Sequence, residues 1–213
     1  MSYEASRARM VREQLIPRGI TDQRVLDVMT IVPRHQFVQD ALWSQAYSDF
    51  SLPIGAGQTI SQPYVVARMT EALQLKGHES VLEIGTGCGY QTTVLAALAD
   101  RVFSVERIKA LHVKARQTLD KLHIINVICT IDDGTLGWNQ YAPYDAIIVT
   151  AGGPTIPQPL IDQLADPGIL VIPVGERDTQ QIIVLKKKDG EITRQPLEDV
   201  RFVSLIGDHG WES

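Results

Sequence analysis

The sequence predicts a doubly wound α/β fold: a mostly parallel, seven-stranded sheet with a helical N-terminal cap and a C-terminal β-hairpin. Three observations carry that expectation. From Ser80 onward, short runs rich in Val and Ile alternate with helical segments. Most of these runs are apolar on both faces, as strands covered by helices on each side must be. The last two runs flank Asp189-Gly190, a dipeptide suited to a hairpin turn.

Residues 1–75 read as helical and irregular, punctuated by Pro17, Gly19, Pro33 and Pro53. A first helix is expected over residues 2–15, and a second capped by Thr21 and running to about Met29. A third opens near Pro63, where Val65, Val66, Met69, Ala72 and Leu73 recur at helical spacing. Ser61 then stands at or near its N-cap, and on local grounds its hydroxyl serves an orphan backbone N–H. The strand runs follow at 81–84, 102–105, 127–131, 146–149 and 169–172, with helices expected over 91–99, 108–122 and 157–164. Residues 180–187 and those from Glu191 onward form the hairpin. The whole, residues 1–213, is expected to be one domain: a cap over 1–75, an α/β core over 76–178 and C-terminal strands over 179–213.

Composition narrows the function classes. The 213 residues are 44% hydrophobic and 21% charged, enough for one substantial core. A net charge of −5 with scattered Lys and Arg argues against nucleic-acid or anionic-membrane partners. The one basic run, Lys186-Lys187-Lys188, reads as a solvated strand end. No apolar stretch reaches the roughly 18 residues a membrane helix needs, and the polar, charged start is unlike a signal peptide. Two cysteines, Cys88 and Cys129, sit on separate elements without CxxC spacing, which fits free thiols in a reducing cytoplasm. The five histidines are scattered, so no metal site is expected.

The chemistry concentrates at strand ends. The first core strand runs into Val81-Leu82-Glu83-Ile84-Gly85-Thr86-Gly87-Cys88-Gly89-Tyr90-Gln91. Gly85, Gly87 and Gly89 allow a sharp turn and close backbone approach to a ligand. A dinucleotide fingerprint needs a small residue at position 90, and Tyr90 counts against it. Glu106 ends the second strand about 20 residues after the loop, where an acid can accept both hydroxyls of a ribose. Asp133-Gly134 ends the third, where an acid can receive the amine of an adenine. Each feature alone is ordinary: a strand-to-helix turn, a solvated acid, an Asp-Gly turn. Together they describe an adenosine site without a pyrophosphate clamp.

Residues 82–91 resemble motif I of the Rossmann-like, class I S-adenosylmethionine-dependent methyltransferases. With Gly57-Gln58-Thr59-Ile60-Ser61-Gln62-Pro63, residues 32–38, 144–152 and 170–175, and the closing Gly207-Asp208-His209-Gly210-Trp211, nearly the whole chain resembles the protein-L-isoaspartate O-methyltransferase family. The resemblance implies transfer of a methyl group from S-adenosylmethionine, leaving S-adenosylhomocysteine, to the free α-carboxyl of L-isoaspartyl residues in damaged proteins and peptides, D-aspartyl residues being a further candidate. It implies that Ser61 holds the substrate carboxylate, not as a covalent nucleophile, and that Gln58, Thr59 and Ile60 close over the methionine end of the cofactor. Glu83 would take the cofactor's amino group, Arg107 would lie along the adenosine, and Asp133 with Gly134 would meet the adenine. A monomer is compatible with a groove that admits a peptide.

The sequence departs from the family pattern in three places. Asp132 precedes Asp133 where Gly is common, though Asp133 keeps the matching acid. Gly152-Gly153 replaces a less flexible pair and bears on loop stiffness. Ser204 stands where Pro is frequent and bears on peptide preference. The rival readings are a small-molecule methyltransferase, which Gln58-Thr59-Ile60-Ser61 disfavours, a dinucleotide oxidoreductase, which Tyr90 disfavours, and a non-catalytic binder of aged peptides. His35 and the tryptophans Trp43, Trp138 and Trp211 read as structural.

Overall fold

The N-terminal cap is built from short elements, each with its own stop signal. The computed structural model describes residues 2–212. Helix α1 (Tyr3–Met10) is capped by the Ser2 hydroxyl, which accepts from Ala5 N at 3.2 Å. The expected 2–15 helix continues as a wider turn over Val11–Leu15 and a tight one over Ile16–Arg18, until Gly19 at φ 88° ends it. Helix α2 (Gln23–Ile31) is capped by Asp22 instead of Thr21. The Asp22 carboxylate reaches Arg24 N at 2.9 Å, whereas the Thr21 amide is taken by Glu71 at 2.7 Å.

A small hairpin, β1 (Leu52–Gly55) and β2 (Gln58–Ile60), follows, turning at Ala56 and Gly57 with φ of 53° and 70°. The sequence reading had only irregular chain here. Strands of four and three residues are too short to display a period of two. Helix α3 (Pro63–Ala72) then opens at Pro63, as the sequence indicated, with Ser61 one residue before the N-cap. Its N-cap is Gln62, and no side chain caps it.

The sheet follows the expected alternation: β3 (Ser80–Ile84), α4 (Tyr90–Ala96), β4 (Arg101–Glu106), α5 (Lys109–Lys121), β5 (Val127–Ile131), β6 (Tyr144–Val149), α6 (Gln158–Asp162), β7 (Leu164–Gly175), β8 (Gln180–Lys188) and β9 (Glu191–Val200). Strand order is β5-β4-β3-β6-β7-β8-β9, with β3 to β7 parallel and β8 and β9 antiparallel additions. Two core clusters cover its faces. Val81, Val102, Ala146, Ile148 and Val171 pack toward the N-terminal cap, α4 and α5, and Leu82, Phe103, Ile147, Leu170 and Ile172 pack on the other side. Trp138 belongs to the second face, edge-on to Phe103 at 6.0 Å. His35 is buried in the cap, hydrogen-bonded to the Tyr47 hydroxyl at 2.7 Å and stacked on Tyr3.

Successive connections leave β3 toward opposite sides, β4 on one and β6 on the other. In an open parallel sheet that reversal opens a crevice at the carboxyl ends of the strands. No helix among the described residues is long and apolar enough to cross a membrane.

Candidate active site

The crevice is shaped first by backbone. Gly85 and Gly87 adopt φ of 98° and 55°, a region that costs other residues strain. A Cβ on Gly85 would overlap the Thr150 hydroxyl, which donates to the Gly85 carbonyl at 2.7 Å and so ties the ends of β3 and β6 together. Gly89, the N-cap of α4, does not face the crevice. Its missing side chain makes room for Ala115 and Leu119 of α5, 3.5 and 3.6 Å from where a Cβ would stand.

Glu106 ends β4 at the rim, nearly buried, with one carboxylate oxygen accepting from Gly87 N and the other from Ile108 N, both at 2.8 Å. A carboxylate oxygen has more than one acceptor site, so each can take a further hydroxyl from a ligand. The crevice encloses about 1000 Å³ with its open mouth included. Gln58, Thr59, Ile60, Ser61, Gly85, Gly87, Glu106, Arg107 and Gly134 all line it.

Glu83, Gly89 and Asp133 do not line it, although the sequence reading set all three at the ligand. Side chains alternate along β3, so Glu83 points with Val81 into the helical side and is fully buried. Its Oε2 accepts from the Thr92 and Ser104 hydroxyls, each at 2.6 Å, while Oε1 is without a partner. Burial pushes this carboxyl up to about 8, against the opposing pull of those two hydroxyls. Ser104 in turn meets the Thr86 hydroxyl at 2.6 Å, so the acid braces the glycine loop from beneath. Asp133 is consumed by its own turn and by the C-terminal tail. Oδ1 accepts from Thr135 N and Oγ1 at 2.8 and 2.7 Å, and Oδ2 from Asp208 N at 2.7 Å. Burial alone would raise its pKa, but the bonds from Asp208 and Thr135 outweigh burial and hold it below the usual carboxylate range.

A second groove adjoins the first, walled by Asp49, Ser51, Glu198 and Arg201. The two share Thr59, Ser61, Val65, Thr150, Phe202 and Val203. Ser61 therefore stands where a ligand in the crevice and a chain in the groove would meet. Its hydroxyl makes no hydrogen bond among the described residues, so helix capping does not account for it. Its carbonyl accepts from Arg34 Nη2 at 2.7 Å.

Sequence reasoning passed over Thr150 and Arg34, and it set the tail segment Phe202-Val203 beside the substrate groove only through the family resemblance. Thr150 had a detectable signal, a hydroxyl at the end of the strand next to the glycine loop. The tail had no local signal beyond that resemblance, because its place depends on contacts far along the chain. Gly152 N donates to Val203 O at 2.8 Å, Leu205 N to Gly152 O at 2.9 Å, and Trp211 Nε1 to the same carbonyl at 3.1 Å. Gly152-Gly153 is thus a pinned loop, and Ser204 joins it through a backbone bridge to Gly152.

Comparison with known proteins agrees with this geometry. A family model described as protein-L-isoaspartate(D-aspartate) O-methyltransferase matches residues 6–210. A protein-L-isoaspartate O-methyltransferase of Syntrophobacter fumaroxidans is 56% identical over 212 residues, covering 100% of this chain and 99% of that one. Among solved structures, one protein-L-isoaspartate O-methyltransferase superposes with a TM-score of 0.85 at 27% identity, over 97% of this chain and 67% of its own. A Plasmodium falciparum chain, described as such a methyltransferase in complex with S-adenosyl-L-homocysteine, gives a TM-score of 0.79 at 29% identity, over 94% and 98%.

Proposed function

The chain belongs to the protein-L-isoaspartate(D-aspartate) O-methyltransferase family, and on that premise we propose how its own residues carry the reaction, with Ser61 orienting the substrate carboxylate. The enzyme uses S-adenosylmethionine and repairs damaged proteins by methylating isoaspartyl residues. The rims of the two cavities suit the two reactants. Gly85 and Gly87 let a ligand lie against bare backbone, Glu106 offers oxygens for ribose hydroxyls, and the β2 end at Gln58-Thr59-Ile60 covers the methionine side. Gly134 and Arg107 border the adenosine side. Asp133 acts there only through the turn it stabilises.

The cofactor supplies a methyl group on a cationic sulfur. Near pH 7 a substrate carboxylate is already ionised, its reference pKa being near 4, so no general base is required. One carboxylate oxygen forms a bond to the methyl carbon as the carbon–sulfur bond breaks, and that bond's electron pair stays on sulfur. What the protein must contribute is alignment, since an oriented displacement gains most of its rate from lost freedom already paid on binding. The Ser61 hydroxyl donates to the other carboxylate oxygen and leaves the attacking one facing the crevice. A covalent role is not called for, because no His or Asp activates the hydroxyl among the described residues.

One observation supports this assignment above the rest: an uncommitted hydroxyl on the wall shared by crevice and groove. Replacing Ser61 with Ala is expected to lower kcat on an isoaspartyl peptide by about 100-fold or more, with Kd for S-adenosylhomocysteine changed less than about twofold. Turnover of S61A at the wild-type rate would reduce Ser61 to a spacer. The groove favours a peptide over a small-molecule substrate, since it extends past Ser61 to Glu198 and Arg201. We also infer no nucleic-acid or membrane partner from its scattered cations and net charge of −5, a cytoplasmic setting from its two free cysteines, and a monomer from a groove that admits a peptide. Sedimentation at working concentration tests the monomer.

A further inference from the structure

Behind Ser61 lies a cation that no carboxylate neutralises. Arg34 opens the turn Arg34–Phe37 and is wholly buried. Its Nε donates to Ala46 O at 2.8 Å and its Nη2 to Ser61 O at 2.7 Å, while Nη1 is buried without a partner. The guanidinium carbon sits 4.8 Å from the Tyr90 ring centroid. None of the ion pairs among the described residues includes it. A buried charge is costly unless paired, and two carbonyls with an aromatic face are thin compensation for core stability alone.

The Ser61 carbonyl requires a donor from outside its own helix. Ser61 precedes the N-cap, and the first rung of the α3 ladder runs from Val66 N to Gln62 O. Arg34 supplies that donor, and its other end is anchored at Ala46. The peptide plane after Ser61 is therefore fixed from beneath, and with it the Cα–Cβ direction along which the hydroxyl leaves the backbone. Neither contact is local: Arg34 lies 27 residues before Ser61 and 12 before Ala46.

We propose that Arg34 is a positioning residue for methyl transfer, clamping the Ser61 carbonyl so that the Ser61 hydroxyl is held toward the substrate carboxylate. The proposal rests on the orienting role given to Ser61 above. It predicts coupling between the two side chains, which a purely structural arginine would not produce.

The test is a double-mutant cycle on the full chain. R34M and R34K are each made in the wild-type and S61A backgrounds, with kcat and KM for an isoaspartyl peptide, Kd for S-adenosylhomocysteine by calorimetry, and Tm. Alone, R34M is expected to lower kcat by about 30-fold while the S-adenosylhomocysteine Kd moves less than about threefold. In the S61A background the same change should cost less than about threefold, because the hydroxyl it positions is gone. R34K, which keeps the charge and a single donor nitrogen in place of the guanidinium's three, should recover part of the loss. Unchanged kcat in folded R34M, or an equal fold-loss in both backgrounds, overturns the proposal and leaves the Ser61 assignment standing. Full activity of S61A alone would sink both. If R34M does not fold, the R34K arm of the cycle decides by the same criterion.

Discussion

The floor of the crevice and its outer wall are built on opposite principles. On the floor, polar groups are spent mostly on one another, Glu83 Oε1 excepted: Glu106 holds two loop amides, and Glu83, Thr92, Ser104 and Thr86 form a buried chain beneath the glycines. On the wall, Ser61 keeps a free hydroxyl, and the group that holds its backbone, Arg34, is left partly unsatisfied. A cofactor of constant shape rewards a floor fixed in advance, since ordering costs are met during folding and not on binding. A peptide substrate of variable sequence needs one oriented donor and an open groove. The difference predicts that floor changes act on cofactor affinity and folding, and wall changes on turnover and peptide KM.

The sharpest break of that division is at Gly85. An added Cβ would overlap the Thr150 hydroxyl and would demand a φ of 98°, so G85A should be strained in two ways at once. We expect S-adenosylhomocysteine binding weakened by about 100-fold or more, together with a lower Tm. Calorimetric binding near wild type would mean that the loop is adaptable and that the floor is not fixed in advance.

Next in size is Glu106. E106A leaves Gly87 N and Ile108 N without their acceptor and removes the oxygens proposed to meet ribose hydroxyls. Kd for S-adenosylhomocysteine should rise about 10- to 100-fold, while kcat at saturating cofactor stays within about threefold of wild type. A drop in kcat without a change in Kd would place Glu106 with the wall.

The two regions also differ in how much of them the sequence disclosed. The floor is made of consecutive residues at strand ends, and its period and glycine spacing survive in one dimension: β3 to β9 lie where the alternating runs indicated, with β5 matching to the residue. Even there, local reading gave Glu83 and Asp133 to the ligand. It could not know that pleat direction turns one toward Thr92 and Ser104, or that the distant Asp208 amide claims the other. The wall is assembled from residues near 34, 61, 152 and 203, whose approach is set only by the folded chain. Ser61 was singled out through its motif and its place just before a helix start. Arg34 and Val203 carried no local signal.

Glu83 gives a pH test of the floor. Its ordinary pKa is 4.5 and burial raises it to about 8 in the folded protein. Between those values the folded state keeps a proton that the unfolded chain has released, so stability falls as pH rises. The contribution is complete below about pH 4.5 and is lost as pH climbs through 8. E83Q removes the titration while retaining an oxygen for Thr92 and Ser104. Thermal unfolding from pH 5 to 8.5 should therefore show a flatter Tm profile for E83Q, close to wild type at pH 5 and above it at pH 8.5. Parallel profiles would mean that Glu83 does not titrate in this window.

The smallest expected effect belongs to Gly152, and it tests whether the wall can move without the floor. A Cβ there would stand 2.9 Å from the Gln180 side chain. That side chain has little freedom to yield, because its Oε1 accepts from Phe202 N at 2.8 Å and its Nε2 donates to the carbonyls of Glu176 and Arg177. The displacement is instead passed to Phe202-Val203, which line the groove together with Ser61, through the bonds between Gly152 and the tail. G152A should raise peptide KM by about three- to tenfold, with kcat and S-adenosylhomocysteine Kd each within about twofold. The two regions would prove mechanically joined if cofactor affinity fell in step with peptide KM. The most direct link is Thr150, two residues before Gly152 and hydrogen-bonded to the loop at Gly85.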